Sequence, residues 1–364
     1  MIRIIQGHVL DCLARLPDES IHCVVTSPPY YKVRTFGLSP QIWGGSKDCA
    51  HDFELKGVSA DTYTLAYRPE ERATEQSGFC KQCDAWLGSL GAEPNPKQWI
   101  SNLSRVFKEL HRVLRKDGTI WLNLGDRRAT SDTGHGYKPK DLMGLPWMTA
   151  FHLREQGLYL RSATILAKQA PIPEHGVDRP VTSYDHLFLL TKSAKYYYDG
   201  YAVGDKDINH NVKDVWVLEH EYSPSQGHAG TFPKELPRRC ILLGTSSKGV
   251  CPQCEAPYVR VINTVKTVNY DSHKRLPKTS TIPSKEWIPS CKCNAGKPIP
   301  SKILDPFGGT MTTSLVAELN HRDSISIELS PEWIAAGKKR LSRDGGLFVN
   351  FTEEADYAPI QNTP

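Results

Sequence analysis

The sequence lacks an apolar run long enough to cross a membrane, and no charged segment followed by a long apolar stretch stands near residue 1. A transmembrane helix needs about 20 predominantly apolar residues, and a secretory signal needs a shorter apolar core behind basic residues. The first residues, Met1-Ile2-Arg3-Ile4-Ile5-Gln6, indicate a short strand instead. We therefore expect a cytoplasmic, non-secreted protein with no membrane partner.

Neither sign of charge is in large excess. The 364 residues carry a formal net charge of +5, with 23% charged and 39% hydrophobic residues. This balance permits a polyanionic partner without requiring one, and it provides enough apolar side chains for a large core. One elaborated domain is expected.

A P-loop is also absent, because no Gly-Lys-Ser/Thr follows the glycine loop Asp305-Pro306-Phe307-Gly308-Gly309-Thr310. This loop lies between a predicted strand, Lys302 to Leu304, and a predicted helix, Met311 to Leu319. Such a loop lets the backbone approach a ligand, and an acid about twenty residues further on, here Glu328, can hold a ribose diol. The same arrangement serves NAD enzymes, so a pyridine-nucleotide oxidoreductase stays open at this point.

The stretch that organises the chain is Thr26-Ser27-Pro28-Pro29-Tyr30, directly after the apolar run Ile21 to Val25. Prolines cannot donate to a sheet ladder, so the predicted strand must end there. Ser27 offers a hydroxyl, Pro28 a carbonyl and Tyr30 a flat aromatic face. These groups suit a planar base, which would stack on the ring and donate its amino hydrogens to the two oxygens. An ordinary strand-ending turn is the alternative for these residues alone.

Ser27-Pro28-Pro29-Tyr30 resembles the catalytic motif of the amino-methylating DNA methyltransferases, which is Asp, Asn or Ser followed by Pro-Pro and an aromatic residue. The loop Asp305 to Thr310 resembles the S-adenosylmethionine loop of that family. Because the catalytic motif comes first, the order resembles the circularly permuted β group. The resemblance implies a Rossmann-like α/β fold, a double-stranded DNA substrate with a flipped base, and S-adenosylmethionine as the methyl donor.

The resemblance also implies further cofactor contacts. Asp11 would meet the adenine amino group of the cofactor, and Phe232 and Pro233, in the segment 228–233, would pack against its methionine end. Glu328 would take the ribose. The chain departs from the family at Met311, where a further glycine is usual, and this leaves the path of the loop and the affinity for cofactor open.

The resemblance favours cytosine N4 as the methylated atom, since serine before Pro-Pro-Tyr goes mostly with that base in the family. Adenine N6 is the alternative within the same chemistry. An alternative of another class is a zinc-bearing nucleic-acid-binding protein without catalysis.

The ten cysteines include two sets with metal-ligand spacing. Cys251, Cys254, Cys291 and Cys293 predict a four-thiolate zinc site, and Cys80 and Cys83 with Cys49 and His51 predict a three-Cys-one-His site. With four protein ligands each, both sites are expected to be structural. The stretch 256–302, which includes Cys291 and Cys293, is rich in Lys and Arg. Such a composition suits contact with phosphates, although a solvated loop would have the same composition.

The predicted organisation is a permuted methyltransferase domain with two zinc-stapled insertions. Its segments are the start of the catalytic half (1–30), a zinc-binding insertion (31–96), the continued catalytic half with target-recognition elements (97–247), a second zinc-binding insertion (248–300), the cofactor-binding half (301–342) and a tail (343–364). Alternation of strands and helices predicts a largely parallel sheet with helices on both faces. Asp185 to Thr191 and Tyr196 to Tyr198 are expected to form an antiparallel pair, and Arg127 to Gly144 a loop that closes over DNA.

Overall fold

The computed structural model describes residues 1–33, 38–46, 48–58, 75–130, 135–169, 171, 178–203, 211–219, 231–267, 278–346 and 349–355. Its strands are β1 (Ile2–Gln6), β2 (Ile21–Thr26), β3 (Gln41–Trp43), β4 (Phe53–Val58), β5 (Glu75–Cys80), β6 (Trp86–Gly88), β7 (Leu114–Leu124), β8 (Tyr159–Lys168), β9 (Tyr184–Thr191), β10 (Val215–Leu218), β11 (Tyr258–Thr267), β12 (Lys278–Pro289), β13 (Lys302–Asp305), β14 (Asp323–Glu328) and β15 (Phe351–Ala355). Its α-helices are α1 (Val9–Ala14), α2 (Pro96–Val113), α3 (Leu145–Glu155), α4 (Glu235–Gly244), α5 (Thr312–Leu319) and α6 (Pro331–Asp344).

A nine-stranded sheet carries the fold, in the order β10-β8-β9-β7-β2-β13-β14-β1-β15. Only β9 runs against its neighbours, so the predicted largely parallel sheet is confirmed. Strand β13, which comes late in the chain, lies between β2 and β14. The strand before Ser27 and the strand before the glycine loop are therefore direct neighbours.

Helices cover both faces of the sheet, as predicted. Helix α2 contacts both α1 and α3 on one face, and α5 contacts both α4 and α6 on the other. Helix α2 begins where Pro96 permits it, and the side chain of Asn95 caps it by accepting a hydrogen bond from the Gln98 amide at 2.8 Å. The largest core lies between this helix layer and the sheet, around Trp99, Phe107 and Val24.

The predicted pairing of Asp185 to Thr191 with Tyr196 to Tyr198 is wrong. Strand β9 pairs with β7 on one side and β8 on the other, and 196–198 form no strand. The tyrosines instead pack their rings against the core on the α4 face, and the Tyr197 amide donates to the Asp117 carbonyl at 2.8 Å. The sequence identified the strand, but the partner strands are far away along the chain.

The predicted tail is also partly wrong. Helix α6 continues to Asp344, and Phe351–Ala355 adds a parallel edge strand beside β1. Arg3 of β1 donates to both carboxylate oxygens of Glu354 at 2.7 Å, which explains why so polar a segment, with one half-buried residue, joins a sheet. Strand β10 at the opposite edge was not predicted either.

The two segments predicted as insertions, 31–96 and 248–300, each contain a small antiparallel sheet. The first forms the order β3-β6-β5-β4, and the second is the long hairpin of β11 and β12. The first insertion packs on the main core through Trp43 and Trp86, which are buried. Strands β3 and β6 have three residues each, too few to show a period of two in the sequence.

Candidate active site and metal centres

The predicted catalytic and cofactor residues meet at one edge of the sheet. Ser27 follows the carboxyl end of β2, Gly125 follows β7, and Pro306 follows the adjacent strand β13. Neighbouring parallel strands all present their carboxyl ends at the same edge, and loops there form the usual ligand crevice of such sheets. The architecture therefore brings together two motifs that lie far apart in the sequence.

Ser27 and Tyr30 are joined by a hydrogen bond. The Ser27 hydroxyl donates to the Tyr30 hydroxyl at 3.0 Å, and both residues are half-buried. A hydroxyl oxygen that has given its proton to one partner keeps two lone pairs for others. The arrangement leaves Ser27 Oγ oriented as an acceptor.

The backbone around the two prolines between Ser27 and Tyr30 is held by contacts with neighbouring segments. The indole of Trp99 on α2 donates to the Pro29 carbonyl at 3.0 Å. A side chain on Gly91 would come within 3.0 Å of the Tyr30 carbonyl oxygen, so the backbone of the first insertion closes on the motif. Arg127, in the loop after β7, donates to the Tyr31 carbonyl at 3.4 Å. The motif is a rigid support, which pre-positions its oxygen atoms.

Asp126, at the start of the same loop, has a structural role. Its carboxylate accepts from the amides of Arg127, Gly144 and Leu145 at 2.9, 3.0 and 3.1 Å. It thereby caps the amino end of α3. The loop is bridged between Arg128 and Leu142, and residues 131–134 lie outside the described part.

Asp305 links the glycine loop to the catalytic strand. Its carboxylate is buried and accepts from the hydroxyls of Thr26 (2.9 Å) and Thr313 (2.6 Å) and from the Phe307 amide (3.1 Å). Burial raises the pKa of this carboxyl to about 7, against the opposing effect of the three donors. Because the carboxylate is occupied by these groups, its role is to shape the loop and to hold it beside Thr26.

The glycines allow close approach inside the loop. A side chain on Gly308 would come within 2.9 Å of the Ser326 Cβ, and Gly309 has a φ of 49°. The Gly309 amide donates to the Glu328 carboxylate at 2.7 Å, and the amides of Leu329 and Ser330 donate to its other oxygen at 2.9 Å. Burial raises the pKa of Glu328. The loop and the acid that were predicted to act together are in direct contact.

The end of the loop points into the protein. Thr310 is buried and accepts a hydrogen bond from Arg340 at 3.4 Å. Met311 takes the left-handed conformation, with φ 62°, and its fully buried side chain packs with Ile4, Leu315 and Ile334. Its side chain therefore points away from the glycine face of the loop, which shows how the loop path accommodates this departure from the family pattern.

Two further predicted cofactor contacts lie around this edge. Helix α4 is antiparallel to the strands. Arg322, just before β14, donates at 3.1 Å to the carbonyl of Thr245, which lies at the carboxyl end of α4. Phe232 and Pro233, at its amino end, therefore lie toward the carboxyl edge of the sheet. Residues 228–230 of the same predicted element lie outside the described residues.

Asp11 is the predicted residue that the structure places least favourably. Its side chain is 76% exposed on α1, 3.6 Å from the ring of His8. His8, which sequence reasoning missed, lies two residues after the end of β1 and packs edge-on against Trp43 at 4.8 Å between ring centroids. The Gly7 amide donates to the Glu328 carbonyl at 3.1 Å, which sets His8 beside the acid of the neighbouring strand. Only its position at the strand end could have identified it.

Cys49, His51, Cys80 and Cys83 come together in the first insertion, with one ligand atom of each within 4.8 Å of the others. The sulfur atoms of Cys49 and Cys80 are 3.8 Å apart, and Cys83 Sγ is 3.3 Å from His51 Nδ1. Two Zn–S bonds of about 2.3 Å at a tetrahedral angle separate their sulfurs by about 3.8 Å, whereas a disulfide needs about 2.05 Å. The donor set and its spacing fit zinc.

Cys251, Cys254, Cys291 and Cys293 form the second group, also within 4.8 Å of one another. The two Cys-x-x-Cys turns are built alike. The amide after each second cysteine donates back to the carbonyl of the first (Asp84 to Cys80 at 3.3 Å, Glu255 to Cys251 at 2.8 Å), and both of these residues have positive φ. Four thiolates and the shared turn fit a tetrahedral zinc.

The second cluster is fastened to the catalytic strand. His22 of β2 accepts from the Lys302 amide at Nδ1 (3.1 Å), and its Nε2 lies 3.1 Å from the Glu255 carbonyl. Burial lowers the pKa of His22 to about 4, so the ring is neutral and its Nε2–H donates to Glu255. Lys302 also pairs with the Glu255 carboxylate at 2.6 Å. The cluster therefore lies at the amino edge of the sheet, away from Ser27.

The predicted basic stretch, 256–302, contains the β11–β12 hairpin and the residues after it. Arg260 does not serve phosphates there, because it pairs with the buried Asp199 at 2.9 Å and lies 4.4 Å over the Trp287 ring. Lys285, Lys292 and Lys297 are not buried in this way and are exposed. Side chains of 264–282 lie outside the described part.

Comparison with known proteins decides the family. The model of the N6 and N4 DNA methylase family matches residues 21–251, from the strand before Ser27 to Cys251. The chain belongs to this family of DNA methyltransferases. The type II methyltransferase M.Cfr9I of Citrobacter freundii is 31% identical over 360 residues, covering 92% of this chain and 86% of that protein.

Solved structures show the same fold. The PvuII DNA methyltransferase, which is cytosine-N4-specific, superposes on this methyltransferase with a TM-score of 0.56 at 15% identity, over 93% of this chain and 85% of that one. A protein of Thermus thermophilus assigned as a DNA modification methylase, solved with S-adenosyl-L-methionine, gives a TM-score of 0.54 at 17% identity, over 98% of both chains. No helix among the described residues is both long and apolar enough to span a membrane.

Proposed function

We propose that this methyltransferase transfers the methyl group of S-adenosylmethionine to the exocyclic amine of a base flipped out of double-stranded DNA, and that the base is cytosine, methylated at N4. The observation that carries the proposal is the junction of two motifs. Ser27 and Tyr30 follow β2, the glycine loop follows the adjacent β13, and Asp305 joins them through the Thr26 hydroxyl at 2.9 Å.

The protein's part in the reaction is alignment. Tyr30 supplies a stacking face, and Ser27 Oγ and the Pro28 carbonyl accept the two amino hydrogens. These contacts direct the amine lone pair toward the methyl group, since the hydrogens are held in the plane of the two oxygens. Trp99 and Arg127 fix the backbone, which keeps the acceptors in place without cost at the moment of transfer.

Cofactor binding is assigned to the loop beside this motif. S-adenosylmethionine supplies an electrophilic sulfonium methyl group. Gly308 and Gly309 admit the cofactor to the backbone, and Glu328 takes the ribose hydroxyls. Phe307, Phe232 and Pro233 supply apolar contacts, while Asp305, Pro306 and Thr310 shape the loop from within. A contact of Asp11 with the adenine of the cofactor stays a prediction. His8, beside Glu328 near the end of β1, is a further candidate neighbour of the cofactor.

Two zinc ions are proposed as structural components, one on Cys49, His51, Cys80 and Cys83 and the other on Cys251, Cys254, Cys291 and Cys293. Four protein ligands leave no position for water or substrate. Each ion would fasten an insertion to the methyltransferase core. Order along the chain, with the catalytic motif before the cofactor motif, supports the circularly permuted arrangement.

Mass spectrometry of nucleosides from DNA of cells that express the protein tests the proposal. We expect N4-methylcytosine, which the Ser27-Pro28-Pro29-Tyr30 motif favours. N6-methyladenine alone would refute the choice of base while leaving the amine-binding roles of Ser27 and Tyr30 intact. Absence of any methylated base, with cofactor binding retained, would favour a zinc-bearing DNA-binding protein without catalysis. A role in restriction–modification inside the cell would follow from protection of the modified DNA against a cognate nuclease.

A further inference from the structure

An ion pair lies at the same sheet edge as the proposed catalytic motif. Lys168 is the last residue of β8, and Asp185 is the second residue of the antiparallel strand β9, so both face the carboxyl ends of β7 and β2. Lys168 Nζ donates to Asp185 Oδ1 at 2.9 Å, with the lysine side chain 43% and the aspartate 18% exposed. A solvent-accessible pair of this kind contributes little to stability.

Gly125 connects this pair to Tyr30. A side chain on Gly125 would come within 2.8 Å of Tyr30 Cε2 and within 2.9 Å of Asp185 Oδ1, the same oxygen that holds Lys168. The edge of the aromatic ring, the bare backbone of Gly125 and the ion pair are therefore contiguous. Because Gly125 has no side chain, the Tyr30 ring and the Asp185 carboxylate both approach its backbone closely, which places the ion pair beside the edge of the ring.

The hydrogen-bonding needs of the base point to the same pair. Ser27 Oγ and the Pro28 carbonyl are acceptors, and they suit only the amine of a flipped base. Cytosine also carries O2 on its pairing edge, an acceptor that needs a donor, whereas adenine has a C–H group at the corresponding position. A lysine ammonium has three donors, and the hydrogen bond to Asp185 uses one of them.

We propose that Lys168, positioned by Asp185, donates a hydrogen bond to O2 of the flipped cytosine and thereby selects cytosine over adenine. This inference rests on the proposed amine methylation of DNA. Lys168 acts as a specificity-determining residue and Asp185 as its positioning residue. An adenine in the same site would leave the ammonium facing a C–H group, and a site built to donate a hydrogen bond rejects a ligand that lacks the acceptor.

The test starts from the DNA sequence found methylated in expressing cells, made as a synthetic duplex. Lys168→Met is compared with the wild type and with the control Lys338→Met. Lys338, on α6 near the opposite end of the sheet, also forms an exposed ion pair, with Glu353. We expect kcat/KM to fall about 10- to 100-fold for Lys168→Met, the usual cost of losing a hydrogen bond to a charged group, and to change about twofold at most for the control. Asp185→Asn should also lower kcat/KM, by a smaller factor.

A modified base then separates recognition of O2 from a general loss of structure. The 2-aminopyridine C-nucleoside keeps the amine and the ring nitrogen of cytosine but carries C–H in place of O2, and it is assayed at alkaline pH so that its ring nitrogen stays neutral. The wild type should lose rate on this base about as much as Lys168→Met loses on cytosine, and the two losses should not add.

Each outcome bears on one claim. Additive losses, an unaffected Lys168→Met, or a wild type that tolerates the base without O2 would overturn the role of Lys168. So would methylation of adenine alone. A wild type that binds S-adenosylmethionine but transfers no methyl group to any duplex would instead contradict the proposed function. The wild-type assay on the modified base needs no variant, so poor folding of Lys168→Met would not hide the answer.

Discussion

Met311 and Gly337 fit together as a pair. Met311 ends the glycine loop in the left-handed conformation that glycine normally holds, and a side chain on Gly337 of α6 would come within 2.4 Å of its Cγ. Gly337 thus provides the space that the larger residue at the loop needs. The departure from a Gly-x-Gly loop is offset on a neighbouring helix.

Gly337→Ala should therefore destabilise the protein by about 1–3 kcal/mol, the usual cost of overpacking a core. Because Met311 follows Thr310 and the two glycines, the loop should shift and S-adenosylmethionine should bind more weakly. Thermal unfolding and calorimetry measure the two effects. The double variant Met311→Gly/Gly337→Ala relieves the clash and should recover cofactor affinity. Alanine favours a helix over glycine by about 1 kcal/mol, so a loss of stability in Gly337→Ala cannot come from helix propensity. An unchanged or raised melting temperature of Gly337→Ala would contradict the packing explanation.

The burial of Asp305, whose carboxylate accepts from Thr26 at 2.9 Å, makes folding stability depend on pH. Burial raises the pKa of Asp305 from an ordinary 3.8 to about 7, so between these values the folded state holds a proton that the unfolded state has released. The contribution of this group therefore favours folding most at low pH and is lost as pH rises through 7. Compared with Asp305→Asn, the wild type should lose melting temperature between pH 4 and pH 7. Parallel pH curves for the two proteins would contradict the raised pKa.

The same residues show what the sequence could predict. Thr26 to Tyr30 are consecutive, and their strand is apolar, so the motif and its place at a strand end were readable. Both cysteine sets were readable from their spacing. The hydrogen bonds of Asp305 with Thr26 and of Trp99 with Pro29 join segments that are distant in the sequence, so no local sequence pattern indicates them.

The sequence also could not predict which strands pair with each other. Lys168 and Asp185 lie on β8 and β9, and Gly125 directly follows β7, so their proximity depends on β9 inserting between β7 and β8. Strand β15 was missed because its burial pattern has a single half-buried residue, so nothing in its polarity distinguishes it from a tail. Sequence pattern identified elements that bury a face, and it failed for edge strands and for side chains that meet across the sheet.

Tyr30→Phe should separate the two proposed roles of the tyrosine. The phenyl ring keeps the stacking face but removes the hydroxyl that accepts from Ser27 at 3.0 Å. We expect kcat to fall about 10-fold, the effect of one hydrogen bond, with little change in DNA affinity. Tyr30→Ala also removes the stacking face, and should weaken binding of DNA with an unpaired target base by a further 1–3 kcal/mol, as is usual for base–aromatic stacking. A wild-type kcat for Tyr30→Phe would show that Ser27 does not depend on the tyrosine hydroxyl, and equal DNA affinity of Tyr30→Phe and Tyr30→Ala would contradict the stacking role.

The metal sites predict a zinc content that changes in steps. Purified protein should contain about two zinc ions per chain by elemental analysis, because structural zinc is held by a large binding free energy. Cys49→Ser and Cys293→Ser should each remove one ion, from different sites, and each should lower the unfolding temperature. Cys12→Ala, at a buried cysteine of the main core outside both groups, should keep both ions. Since His22 and Lys302 fasten the second cluster to the strands of the active site, Cys293→Ser should also lower methyl transfer. A zinc content unchanged by either serine variant would contradict the ligand assignment.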